Sequence, residues 1–199
     1  MQKPEIIYRE LLYQRLEEKR DKFTQLELGK KLELSLSVVN KAIKPLESVG
    51  AIIKMPMGFG VIDPKKILYL WASKRRLERD IVYQTRVERP ISEVERSLPN
   101  GTVYSAYSAY KFKFEDVPAD YSEVIVYADE EQLKEIKKRF PEKKGPANLF
   151  ILGADEHLSQ TTKNGICSIG NMFVDFWNLK SWYAKEFLQS LEKRVEEMI

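Results

Sequence analysis

The stretch KFTQLELGKKLELSLSVVNKAIKPLESVGAIIKMPMGFGVI, Lys22 to Ile62, holds two short helical patterns, a glycine stop and a glycine-bearing hairpin. Thr24 offers a side-chain oxygen to the amides left unpaired at the start of a helix over Gln25–Leu32, and Ser35 does the same for a second helix. The break between them falls at Glu33-Leu34. In the second helix Val39, Ile43, Leu46 and Val49 recur at three- and four-residue steps, which predicts a buried stripe. The opposite face carries Ser37, Asn40, Lys41 and Lys44. Gly50 stops this helix, Ala51–Lys54 reads as a strand, and MPMGFG (Met55–Gly60) as a tight tip before Val61 and Ile62 return. Pro45 is the awkward residue. A proline inside a helix loses the bond to the carbonyl of Lys41 and costs on the order of 3 kcal/mol, so a kink is expected there.

Helix, turn, helix and hairpin in this order are the parts of a winged helix-turn-helix, with the second helix as recognition helix and the hairpin as wing. A helix that enters the major groove needs small or hydrogen-bonding residues near its start and cations nearby to hold phosphates. Ser35, Ser37 and Val38 suit the groove, and Asn40 suits an adenine edge. Lys41 and Lys44 suit a guanine edge or the phosphate backbone equally well. Thr24 and Gln25 at the start of the first helix, with Lys54, Met57, Gly58 and Phe59 in the wing, complete the candidate DNA-binding set. The competing reading makes the serines helix caps alone and the lysines a solvated face.

At 199 residues the chain has room for two small domains, each with a core of its own. The predicted division is a winged helix over residues 1–63, a connecting helix over 64–85 and an α/β regulatory or interaction domain over 86–199, an α+β protein as a whole. Residues 1–80 hold 17 Lys+Arg against 11 Asp+Glu, whereas residues 81–199 hold 16 against 19. Basic charge therefore belongs to the half expected to meet double-stranded DNA. Met1–Arg20 alternates charged and apolar residues, unlike a signal peptide or a membrane span. Cys167, the single cysteine, has no partner for an internal disulfide, which points to a reducing cytoplasm.

Pro4–Glu18 places Ile7, Leu11 or Leu12 and Leu16 on one stripe, a first helix that packs on the helix pair. Asp63-Pro64 is a cap and first-turn proline, and KKILYLWASKRRLERD then reads as a long basic helix buried along Ile67, Leu68, Trp71 and Leu77. That helix serves as a solvated connector, a phosphate contact or an element pairing two copies into a homodimer. Farther on, Pro90 opens a short helix and Asn100-Gly101 makes a turn. Tyr104, Tyr107 and Tyr110 fall at three-residue spacing, on one side of a helix, for core packing or for base stacking. Strands follow at Glu123–Ala128 and Asn148–Leu152, with a third short one at Ile166–Ser168. Helices are expected over Asp129–Phe140, Asn171–Leu179 and Ser181–Met198, with Trp177, Trp182, Tyr183 and Phe187 anchoring the last.

The phrases SAYSAYKF, VPADYSEVIVYAD and SIGNMFVDFWNLKSWYAKEFLQSL, read after this winged helix, resemble archaeal and bacterial regulators of the AbiEi antitoxin type. The resemblance implies an N-terminal winged helix on promoter DNA and a C-terminal domain shaped like a nucleotidyltransferase. It also implies autorepression, with a cognate toxin as a further protein partner. The rival is an active nucleotidyltransferase. Such an enzyme needs paired carboxylates on a strand and a Gly-Ser helix start for phosphate. Here the helix start is Tyr104-Ser105-Ala106 and the strand offers Glu123 alone, while Asp129, Glu130 and Glu131 read as a helix-starting acidic cluster. With one histidine, His157, a multi-histidine metal site is impossible. No catalytic residue, metal ligand or cofactor is expected, and a C-terminal domain that senses a small ligand stays open.

Overall fold

Helix α1 (Lys3–Leu16) forms the axis of the protein in the computed structural model, which describes residues 1–199. The expected stripe Ile7, Leu11, Leu12 and Leu16 is buried, but so are Glu5, Arg9 and Glu10 on the other side. A helix covered all round belongs to the centre of a core rather than to its surface. Its buried charges are matched from elsewhere in the chain: Glu5 by Arg75, Arg9 by Asp155, Glu10 by Lys31.

The next elements are β1 (Lys22–Phe23), α2 (Gln25–Lys31), α3 (Leu36–Ser48), β2 (Ile52–Met55) and β3 (Gly58–Val61). Thr24 Oγ1 accepts from the Glu27 amide at 3.1 Å and Ser35 Oγ from the Val38 amide at 3.4 Å, caps worth about 1 kcal/mol each. Between the helices the chain turns back on Gly29, whose carbonyl accepts from the Leu34 amide at 2.9 Å. A Cβ at residue 29 would stand 2.9 Å from the Leu34 carbonyl oxygen, so the turn closes this tightly only over glycine. α3 continues through Pro45 as one helix and ends at Ser48, with Gly50 at φ 67° just beyond. Val49 therefore lies past the last turn and is 40% exposed, and the buried stripe is Val39, Ala42, Ile43 and Leu46.

β1, β3 and β2 form an antiparallel sheet in that spatial order. Met55 pairs with Gly58, so the tip is the two-residue turn Pro56-Met57 rather than the six residues expected, and GFGV is already the return strand. A Cβ on Gly58, at φ 155°, would fall 2.1 Å from the carbonyl oxygen of Phe23 in β1.

α4 (Pro64–Lys74) starts on its Asp63 cap but stops six residues short of the predicted Asp80. Arg75 takes an extended backbone and turns its side chain into the core. A 3-10 turn (Leu77–Asp80) leads directly into β4 (Ile81–Thr85), so residues 77–85 are not a connecting helix. Nor is α4 a solvated connector, because Ile67, Leu68, Trp71 and Ala72 are buried against α1 and α8. There follow α5 (Ile91–Arg96), β5 (Val103–Ser105), α6 (Ala106–Phe114), β6 (Val124–Ala128), α7 (Glu130–Arg139), β7 (Leu149–Gly153), α8 (Ile169–Asn178) and α9 (Ala184–Met198).

The second sheet has the order β4-β7-β6-β5, parallel between β6 and β7 and antiparallel at both edges. Side chains alternate across it. Ile125 and Tyr127 of β6 join the main core with α1, α6 and α8, while Val124, Val126 and Ala128 enter a smaller core under α5 and α7. The main core is continuous from Phe23 and Phe59 through α1 and α4 to Phe173 and Phe187. The apolar interior thus crosses both predicted boundaries, at 63 and at 85. Ile166–Ser168 forms no strand, making only isolated bridges at Ile166. Tyr104 sits in β5, off the helix, whereas Tyr107 and Tyr110 are buried in α6 with their hydroxyls 2.7 Å from Ser181 and Ser190. Tyr183 and Phe187 anchor α9 as expected, but Trp177 and Trp182 do not, being 46% and 74% exposed. No helix is long and apolar enough to cross a membrane.

Candidate nucleic-acid interface

Burying Val39, Ala42, Ile43 and Leu46 leaves the other side of α3 to solvent. Ser35, Ser37, Asn40, Lys41 and Lys44 are exposed there, with Val38 half-buried at the first turn. Lys41 and Lys44 enter no ion pair. Lys54 on β2 pairs with Glu47 at 2.7 Å, both side chains reaching solvent. An exposed pair of this kind is worth about 0–1 kcal/mol, so Lys54 can exchange its carboxylate for a phosphate at little cost.

A groove between α3 and the hairpin brings Gln25, Asn40, Lys44 and Lys54 together, with Gly58 at its edge. Thr24 is half-buried and spent on its cap, and Met57 stands at the tip with 89% of its surface exposed. Phe59 is a correction to the expected set. The register that opposes Phe59 to Phe23 turns its ring inward, stacked at 5.8 Å between centroids and 3% exposed, so it is core and cannot touch DNA.

Two surface residues near this face carry no signal in the sequence. Leu36 opens α3 with half its surface exposed; apolar contact with a thymine methyl is one use of such a side chain. Arg20 lies behind the hairpin with its guanidinium 5.0 Å from the Phe23 ring centroid and an ion pair to Glu27. β1 is two residues long, too short for any periodicity to announce it, and without β1 nothing links Arg20 to the hairpin.

The other candidate chemistry resolves into structure. Ser105, at the helix start where a phosphate would bind in the rival reading, is fully buried and donates to Asp175 Oδ2 at 2.7 Å. The same carboxylate oxygen accepts from Tyr127 at 2.7 Å and Asn171 at 2.8 Å, and Arg75 Nε stands 3.5 Å from Oδ1. Arg75 also bonds Glu5 at 3.2 Å and Tyr127 at 3.0 Å, and reaches Asp80. Burial pushes the Asp175 carboxyl above the usual carboxylate range against the pull of Arg75, and pushes the Tyr127 phenol well up. This polar knot ties α1, the end of α4, β5, β6 and α8 to one another. The sequence offered one signal for it, an Asp in the apolar run MFVDFW.

Cys167 is buried and its thiol is pushed far up by desolvation, the opposite of an activated nucleophile. Asp129 serves as a cap, accepting from the Gln132 amide at 2.8 Å. No group of three or more His, Cys, Asp or Glu side chains gathers as a metal-ligand set. No protein-family model matches the chain, and no curated protein matches it in sequence.

Proposed function

We propose that this protein is a sequence-specific DNA-binding transcriptional regulator. In this reading α2 and α3 are a helix-turn-helix, the β2–β3 hairpin is its wing, and α3 enters the major groove. The observation that carries the reading is the outward face of α3. Ser37, Asn40, Lys41 and Lys44 stand there free of ion pairs, beside a groove shared with Gln25 and Lys54. The hairpin adds one cation, Lys54, to that face.

Occlusion of a promoter is the mechanism such a protein uses, and a homodimer on an inverted repeat supplies the affinity one short helix lacks. The half built on the second sheet then mediates regulation or contact with a protein partner, a cognate toxin among them. A nucleotidyltransferase reading draws no support from Ser105 and β6, whose chemistry is spent on the buried knot.

The test is duplex binding by fluorescence anisotropy at about 0.15 M salt, with the salt stated because phosphate contacts dominate affinity. Lys41→Ala and Lys44→Ala should each weaken binding. A lysine on a phosphate lowers the log–log salt slope by about 0.9, whereas one on a base relaxes sequence preference by about 1–3 kcal/mol at that position. Unchanged binding in both variants removes α3 from the interface.

A further inference from the structure

The second sheet leaves part of one face uncovered where the 3-10 turn after α4 and the link from α8 to α9 stand apart. The cleft between them holds about 630 Å³, inside the range of roughly 300–1,000 Å³ typical of small-molecule sites. Its floor is apolar, formed by Ile81, Ile125, Phe150 and Leu152 from β4, β6 and β7.

Three polar residues converge on this floor, and their hydrogen bonds determine what they can still offer. Ser181 Oγ donates to Glu123 Oε2 at 2.9 Å. The Tyr107 hydroxyl lies 2.7 Å from Ser181 Oγ and, since serine has a single proton, Tyr107 is the donor there. Both amide hydrogens of Asn178 are spent, on the carbonyls of Val174 at 2.9 Å and Ala72 at 3.3 Å. What these three still offer is acceptors, Glu123 Oε1 and Asn178 Oδ1, while Gln84, opposite Phe150 in the sheet, adds an amide that both donates and accepts.

Glu123 takes part in no ion pair. The one cation at the cleft, Lys180, is at the rim and already paired with Glu78 at 2.6 Å. A carboxylate without a counter-charge, set on an apolar floor beside a second spare acceptor, complements a cationic group rich in N–H bonds. It repels phosphates and carboxylates.

We propose that this cleft binds a primary ammonium compound with a compact apolar body. The ammonium sits against Glu123 and Asn178, and the body lies on Ile81 and Phe150. The proposal stands independently of DNA binding, since it rests on the second sheet alone.

The experiment is calorimetric titration of the full chain with 2-phenylethylamine, 2-phenylethanol and 3-phenylpropionate at neutral pH. The three share an aromatic body and differ in the charge of the head. Amide chemical shifts followed in parallel locate the contact. The expected result is binding of the amine with shifts confined to residues 81–84, 123–125 and 178–181. The alcohol should bind about tenfold more weakly or worse, as loss of a charge-assisted hydrogen bond dictates, and the anion should not bind. Glu123→Gln keeps an acceptor for Ser181 and should lower amine affinity to that of the alcohol. Equal binding of amine and alcohol, shifts centred on the hairpin, an unaffected Glu123→Gln variant or no saturation by the amine would each overturn the proposal. The amine-to-alcohol comparison decides it on the unaltered chain should the variant prove unstable.

Discussion

Replacing Asp155 with Ala removes the partner of a charge that has nowhere else to go. Arg9 sits on the central helix with 1% of its side chain exposed and holds Asp155 through both terminal nitrogens, at 2.8 and 2.5 Å. Breaking a buried ion pair by deleting one member costs about 3–5 kcal/mol, against about 0–1 kcal/mol for a pair on the surface. Asp155 itself is 14% exposed, so water enters the space it vacates and the loss should fall at the lower end, about 3 kcal/mol. At roughly 2–4 °C per kcal/mol for a chain of this size, the melting temperature should drop by about 6–12 °C. Because α1 carries Arg9 and packs on α3, α4 and α8 alike, the whole molecule should pay for the change in one transition. Urea unfolding followed together by tryptophan fluorescence and far-UV circular dichroism measures the free-energy loss, and a thermal scan with the same signals measures the drop in melting temperature. A loss under about 1 kcal/mol would mean that Arg9 is hydrated in the folded state. Two separate transitions would refute the shared core.

Two further outcomes follow from the same packing. A Cβ on Gly170 would lie 2.9 Å from Cβ of Leu12, so Gly170→Ala should force α1 and α8 apart and cost about 1–3 kcal/mol in urea unfolding. A change within about 0.3 kcal/mol would show that the two helices have slack there. Burial alone would raise the Asp155 carboxyl, but the hydrogen bonds and charge of Arg9 hold it below its usual range. The unfolded chain therefore takes up that proton first. The resulting stability is complete above about pH 4 and is lost as pH falls through the lower folded value. Asp155→Asn should lose less of its remaining stability than the wild type between about pH 4 and pH 2; parallel losses would sink this assignment.

What the sequence made legible is what a few neighbouring residues decide. The caps at Thr24, Ser35 and Asp63 all accept the amide three residues on, because an N-cap is complete within one turn. The exposed face of α3 follows in the same way from its period. Phe59 reads as a wing residue from its neighbours alone, because whether it faces in or out depends on pairing with Phe23, thirty-six positions earlier in the chain. Arg75 reads as one more cation in SKRRLER, yet its destination is set by Glu5, Tyr127 and Asp175, contributed by three distant elements. The polar side of α1 looks solvent-facing for the same reason, since its counter-charges come from Lys31, Arg75 and Asp155. Glu123 likewise gave no sign of a cleft, which exists only where β4, β6 and β7 meet the link between α8 and α9.

The central claim is that α3 reads DNA sequence. Selection of bound molecules from a random duplex pool tests it most directly, run at about 0.15 M salt with the full chain and with a Lys41→Ala/Lys44→Ala double variant. The account predicts enrichment of one discrete motif, arranged as an inverted repeat, by the wild type and its loss with the double variant. No enrichment by the wild type, or the same motif recovered undiminished by the variant, would contradict it.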